Sequence, residues 1–181
     1  MKILVTGGSG YIGSHTIVEI LAQGHEVVVL DNLSNSSLSA LKSVEILTEV
    51  KLIRGLSKMG RYVFIEGDIR DRKLVNKIFS TNSIDAVLHF AGLKAVGESV
   101  YEPIRYYDNN IVGSIILFDE MKKANVKKLI FSSSAAVYGL PDTVPITEKF
   151  STGIISNPYA RSKLIIEDIL NVSARAPSGT N

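Results

Sequence analysis

The stretch MKILVTGGSGYIG, residues 1–13, decides how the chain is read. Lys2-Ile3-Leu4-Val5-Thr6 is a short, β-rich apolar run, glycines follow at once, and an apolar-periodic segment begins directly after them. Strand, glycine turn and helix start are the parts of a dinucleotide-phosphate cradle. Two registers fit: Gly8, Gly10 and Gly13 satisfy G-x-G-x-x-G, and Gly7, Gly10 and Gly13 satisfy G-x-x-G-x-x-G. In both, one glycine permits a sharp turn with positive φ, and a second removes a Cβ that would collide with a pyrophosphate. The third lets the helix lie close on the strand. The N–H groups of the helix N-terminus then face the anion.

Outward from this stretch, Glu26-Val27-Val28-Val29-Leu30 is a near-continuous apolar strand, the pattern of a parallel sheet covered on both faces. It ends at Asp31, eighteen residues after Gly13. A carboxylate there accepts hydrogen bonds from the adenosine ribose hydroxyls and repels a 2′-phosphate, so NAD is expected in preference to NADP. Asn32, Leu33, Ser34, Asn35 and Ser36 form a polar turn that continues the ribose and adenine contacts. After the strand at 62–66, Asp68 is placed to accept from an adenine amine and Ile69 to pack on its ring. Further strands are expected at 85–90 and 127–131, and helices at 12–23, 37–49, 72–80 and 103–123. The alternation predicts an α/β fold, a Rossmann-like doubly wound parallel sheet. Residues 50–60 read as a surface excursion and His89 as a core histidine. Asn109 and Asn110 read as amides that need partners within one long helix.

Asn157-Pro158 is a strong helix start, an N-cap followed by proline at the first helical position. Tyr159 and Lys163 follow four apart and share a face. A phenol, with a pKa of about 10, is a poor base at neutral pH, and an ammonium beside it favours the phenolate. Ser134, at the end of the 127–131 strand, can bridge a substrate hydroxyl and Tyr159.

A chain of 181 residues suits one domain with a full core, and residues 1–171 are expected to form an NAD-binding domain followed by an irregular tail, 172–181. A net charge of +2 with no Lys/Arg block argues against a nucleic-acid partner, and no apolar run is long enough to cross a bilayer, so no membrane is expected. With no cysteine there are no disulfides or thiolate metal sites; no metal is expected, and without a signal-peptide pattern a cytoplasmic location is.

Taken together these residues resemble the extended short-chain dehydrogenase/reductase family, and within it the 4-epimerases of UDP-sugars. The resemblance runs through 6–13, 31–36, 67–71, 89–100, 106–110, 131–139 and 158–163. FAGLKAVGES (90–99) and FSSSAAVYG (131–139) are its most specific parts. It implies NAD contacts at Tyr11, Ile12, Asp31 to Ser36, Asp68, Ile69, Phe90, Ala91, Gly92, Leu93, Lys94, Asn109, Ser134, Tyr159 and Lys163. It implies substrate contacts at Lys94, Ser134 and Tyr159, with Ser134 and Tyr159 as the proton-transfer pair and Lys163 as the third catalytic residue. The activity implied is interconversion of UDP-glucose and UDP-galactose by transient oxidation at the sugar C4, in a homodimer. Dehydratases of the family need an acid/base pair directly after the strand-end hydroxyl, and Ala135-Ala136 stand there instead. Another nucleotide-sugar epimerase and an NAD-binding module without turnover are the alternatives. Relatives of this type are longer, so most of their C-terminal substrate domain is expected to be missing here.

Overall fold

The computed structural model describes residues 1–56, 60–141 and 143–175. Among them the elements run β1 (Lys2–Thr6), α1 (Tyr11–Ala22), β2 (Glu26–Asp31), α2 (Leu38–Thr48), β3 (Leu52–Arg54), β4 (Tyr62–Glu66), α3 (Arg72–Thr81) and β5 (Ala86–His89). There follow α4 (Val96–Tyr101), α5 (Pro103–Tyr107), a π-helical turn (Asp108–Val112), α6 (Gly113–Lys123), β6 (Leu129–Phe131), a 3₁₀ turn (Ala135–Tyr138) and α7 (Pro158–Arg175). By internal packing the chain divides into two compact units, Met1–Gly92 with Gly113–Ser132, and Leu93–Val112 with Ser133–Asn181.

The first unit holds the whole sheet, in the order β3-β4-β2-β1-β5-β6, with every neighbouring pair parallel. Its strands are apolar on both sides because both sides are covered. Ile3, Val5, Val27, Val29, Tyr62 and Phe64 pack with Ile17, Ile20, Leu41 and Val44 of α1 and α2. The residues between them, Leu4, Val28, Leu30, Val63 and Ile65, pack with Val75, Ile78, Phe79, Ile116 and Leu117 of α3 and α6. Each such side chain fully buried is worth about 1.5–3 kcal/mol over leaving it exposed. The chain builds β2, β3 and β4 on one side of β1 before crossing to β5 and β6 on the other. The strand order therefore switches between β1 and β5, and ligands of such sheets bind outside the carboxyl ends of the strands at that switch.

At the switch the last residues of the two strands pair, Thr6 with His89. The His89 ring is fully buried, its Nδ1 2.6 Å from Thr6 Oγ1 and its Nε2 2.9 Å from Ser114 Oγ. This is the core role expected for it. Short polar side chains cap α2 and α3. Ser37 accepts from the Ser39 amide at 3.2 Å, and Asp71 accepts from the Leu74 amide at 3.1 Å. Gly24 takes the left-handed conformation after α1, with φ +81°.

Three expectations are corrected. Residues 52–54, inside the expected excursion, form β3 on the sheet edge beside β4; three residues are too few to show a period, and the pairing partner supplies the order. The helix expected over 103–123 is broken by the π-helical turn at Asp108–Val112. That wider turn accommodates the buried Asn110, whose amide bonds to main chain elsewhere in place of pointing to solvent. The tail expected from 172 is helical to Arg175, and 176–181 lie outside the described residues.

Linking α6 to α3, the Glu120 carboxylate is buried and accepts from Lys123 Nζ (2.7 Å), Arg72 Nη1 (2.9 Å) and Asn76 Nδ2 (2.7 Å). The Lys123 bond first, then Asn76 and Arg72, hold its carboxyl below the usual glutamate value. A carboxyl lowered in the folded state adds stability above its unfolded pKa and loses it as pH falls through the folded value. Chemical denaturation of the chain between pH 7 and pH 3 is expected to show stability falling below about pH 4.3, and Glu120→Gln to flatten that acid limb. Gly7→Ala is expected to cost on the order of 2–4 kcal/mol by the same measurement, because the residue has φ +69° and a Cβ would stand 2.6 Å from the Ala91 nitrogen. Gly10→Ala, whose Cβ would meet Gly7 O at 3.3 Å, is expected to cost less than about 1 kcal/mol.

Candidate active site

In the first unit the loop from β1 to α1 is bound by its glycines. Gly7 turns with positive φ and lies on the main chain of Phe90 and Ala91. A Cβ on Gly13 would stand 2.5 Å from Gly7 O, so α1 sits directly on the turn. The register that begins at Gly7 is therefore the one that supplies both the turn and the close helix. Gly10 is the N-cap of α1 and makes no side-chain cap bond. Tyr11 and Ile12, the first residues of α1, are exposed apolar side chains, with the Tyr11 ring 4.5 Å from that of His15.

Asp31 ends β2 and is buried. Its Oδ1 accepts from the Leu33 amide (2.9 Å) and Ser36 Oγ (2.9 Å), and its Oδ2 accepts from the Ser9 amide (2.9 Å). An ionised carboxylate has about four acceptor positions, so one is left, on Oδ2. The turn beyond it is wound by short side chains: Leu33 takes φ +55°, and the Ser34 amide donates to Asn32 Oδ1 at 3.1 Å. Asp68 differs. Arg70 donates to it from Nε (2.9 Å), Nη2 (2.8 Å) and its main-chain nitrogen (2.8 Å), and Asn32 Nδ2 donates at 3.0 Å. The Arg70 side chain is the largest influence that lowers the Asp68 pKa to about 2. All its acceptor positions are filled, so an adenine amine has to replace Asn32 or Arg70. Ile69 is only 5% exposed and belongs to the sheet core; what it offers a base is its main chain.

In the second unit α7 begins as the sequence dictates, with Asn157 Oδ1 accepting from the Ala160 amide at 2.8 Å. Lys163, one turn after Tyr159, is 6% exposed, and burial lowers its pKa to about 8. Ser134 caps the 3₁₀ turn by accepting from the Ala136 amide at 3.2 Å, which leaves its O–H to donate. The neighbouring Ser133 hydroxyl donates to Glu167 of α7, so α7 anchors the serine segment it faces.

Sequence reasoning singled out Asn109 and Asn110, and the structure separates their parts. Asn110 is buried; its Oδ1 accepts from the Leu93 amide (2.8 Å), and its Nδ2 donates to Leu93 O (3.0 Å) and Ser162 Oγ (3.0 Å). Ser162 in turn donates to Tyr159 O at 2.7 Å. Asn110 thereby ties the main chain beside Lys94 to the first turn of α7. Asn109 donates to Asn110 Oδ1 at 2.9 Å. The Tyr106 hydroxyl accepts from the Ala95 amide (3.0 Å) and donates to Glu98 Oε2 (2.6 Å). Burial and then the Glu98 bond push its pKa up to about 12. Arg70, Ser133, Ser162 and Glu167 carry no local pattern of their own; only their partners distinguish them.

The first unit suits a dinucleotide on its own evidence. Gly10 opens α1, and a Cβ there would crowd Gly7 O at 3.3 Å, so the glycine loop closes tightly onto the α1 N-terminus. Asp31, at the end of β2, keeps an acceptor position on Oδ2.

Comparison with known proteins agrees. The model of the "NAD dependent epimerase/dehydratase family" matches residues 3–181. The UDP-glucose 4-epimerase of Yersinia enterocolitica is 57% identical over 170 residues, 94% of this chain and 48% of that protein. That of Bacillus subtilis is 55% identical over 170 residues, 94% of this chain and 47% of that protein. A crystal structure of the Bifidobacterium longum UDP-glucose 4-epimerase in complex with NAD+ and UDP aligns with a TM-score of 0.88 at 49% identity, covering 99% of this chain and 51% of that one. The chain spans about half the length of the curated relatives it matches. It belongs to the NAD dependent epimerase/dehydratase family.

Proposed function

We propose that this chain is the NAD-binding and proton-transferring part of an enzyme that interconverts UDP-glucose and UDP-galactose. The observation that carries the reading is α7, which sets Tyr159 one turn before a buried Lys163, while alanines follow Ser134 where a dehydratase would need an acid and a base. The loop from Gly7 to Gly13, Asp31 to Ser36, Asp68, Ile69, Phe90 to Lys94 and Asn109 are the residues that would hold NAD. NAD when bound supplies reversible hydride acceptance at the sugar C4. Tyr159 takes the proton of the sugar 4-hydroxyl on its phenolic oxygen and returns it. Lys163, with a pKa of about 8, holds a cation beside that oxygen at neutral pH. Ser134 donates a hydrogen bond to the same sugar oxygen while keeping its proton, and Lys94 contacts the nucleotide sugar.

Residues 1–171 act in this reading as one NAD-binding domain, in the cytoplasm, and the chain pairs with a second copy. Support for pairing comes from the second unit, where Val100, Tyr101 and Ile104 of α4 and α5 expose large apolar side chains. No helix among the described residues is long and apolar enough to cross a membrane. Because the chain spans about half its relatives' length, NAD binding without turnover is the second reading.

Calorimetric titration is expected to show NAD binding at least about 10-fold more tightly than NADP, since a 2′-phosphate meets the Asp31 carboxylate; comparable affinities count against it. Incubation with UDP-galactose and NAD separates the two readings by the appearance of UDP-glucose. Where turnover is seen, Tyr159→Phe is expected to lower it by about 10²–10⁴-fold while NAD affinity stays within about threefold.

A further inference from the structure

Resting on the reading of Ser134, Tyr159 and Lys163 as the proton-transferring groups, we propose that Glu167 is a positioning residue for Ser134, which it holds through the adjoining Ser133. Glu167 stands four residues after Lys163 and eight after Tyr159, so phenol, ammonium and carboxylate follow one another along one face of α7. The tyrosine and the lysine have parts in the proton transfer; the glutamate touches no reacting atom in that reading. Its carboxylate instead accepts a hydrogen bond from the Ser133 hydroxyl, thirty-four residues back along the chain. Hydrogen bonds to ionised acceptors are roughly twice as strong as those between neutral groups, and this one is partly shielded from water.

Ser134 has no such tie of its own. Among the described residues its side chain hydrogen-bonds only to the Ala136 amide, at 3.2 Å, a local bond that moves with the segment. Residues 132–134 lie between the end of β6 and the 3₁₀ turn, outside both elements. Ser133 and Ser134 share a planar peptide, so holding the Ser133 side chain on Glu167 fixes the main chain from which the Ser134 hydroxyl projects. The acceptor stands on a packed turn of helix, since Ile166 beside it is 1% exposed. What the arrangement requires of residue 167 is an acceptor oxygen at that reach, which glutamine keeps and alanine lacks.

The hydride and the proton leave the same sugar carbon and its oxygen, so in this reading the nicotinamide end of NAD lies beside Ser134; ADP has no such end. By calorimetry, Glu167→Ala and Ser133→Ala are each expected to weaken NAD about three- to tenfold and to leave ADP within about twofold. The double variant is expected to lose no more than either alone, because both remove one bond. Glu167→Gln is expected to bind NAD within about threefold of the unsubstituted chain. Where turnover is seen, the alanine variants are expected to lower kcat about tenfold with KM for UDP-galactose within about threefold. Should Glu167→Ala show no melting transition, Ser133→Ala removes the same bond from its donor end and carries the test. Equal losses for NAD and ADP would mark the bond as general scaffolding and overturn the proposal. Unchanged NAD affinity in both alanine variants overturns it too, as do losses that add in the double variant or a Glu167→Gln chain as weak as Glu167→Ala. If the unsubstituted chain does not bind NAD, the underlying reading fails and the proposal with it, a result obtained before any substitution is made.

Discussion

Main chain meets main chain where β1 and β5 end, and the rest of the first unit is arranged around that contact. Gly7 turns with φ +69°, and its α-carbon lies so close to Phe90 and Ala91 that a Cβ would stand 2.6 Å from a backbone nitrogen. Both neighbours lie directly after β5 and are held to Thr6, the Phe90 amide by its carbonyl and the Ala91 amide by its hydroxyl. Behind the contact, Thr6, His89 and Ser114 form a buried chain of hydroxyl, imidazole and hydroxyl. Polar groups in an apolar sheet are costly unless paired, and here each ring nitrogen has a partner. The strand ends are thereby held in register, and the loop to α1 starts from a fixed point. The positive end of the α1 dipole then sits where an anion can reach it.

Two carboxylates in that unit show how hydrogen bonding alone divides their roles. Asp31 is held by three donors from its own turn and loop, and one acceptor position stays open. Asp68 is held by four, three of them from Arg70, which fixes it as an anion with no position free. The first keeps room for a further donor on Oδ2. The second holds Asn32 and Arg70, and so joins the turn after β2 to the turn after β4.

The second unit is organised by amides and hydroxyls more than by apolar area. Asn110, in the π-helical turn, reads both polar groups of the Leu93 main chain and reaches Ser162. Glu167 takes the Ser133 hydroxyl. The helix carrying Tyr159 and Lys163 is therefore tied at its first turn to the segment that bears Lys94, and one turn after Lys163 to the segment that bears Ser134.

The sequence by itself determined the elements whose signal is local. Continuous apolar strands, the glycine loop, Asp31 at the end of β2, the Asn157-Pro158 start of α7 and the Tyr159–Lys163 pair were all legible, because each rests on residues within one or two turns of one another. Tertiary structure alone decided the rest. β3 exists because β4 offers it an edge, not because three residues prefer to be extended. The helix over 103–123 is interrupted because Asn110 gains more from Leu93 and Ser162 than from a regular turn. Ile69 fits into the core because Gly113, forty-four residues away, has no Cβ to stand 2.5 Å from its Cδ1. Ser9 looks in sequence like any loop serine; only the closed loop shows its hydroxyl buried and unpaired. Periodicity and caps report on neighbours along the chain, whereas the pairing of a buried polar atom depends on which distant segment folds against it.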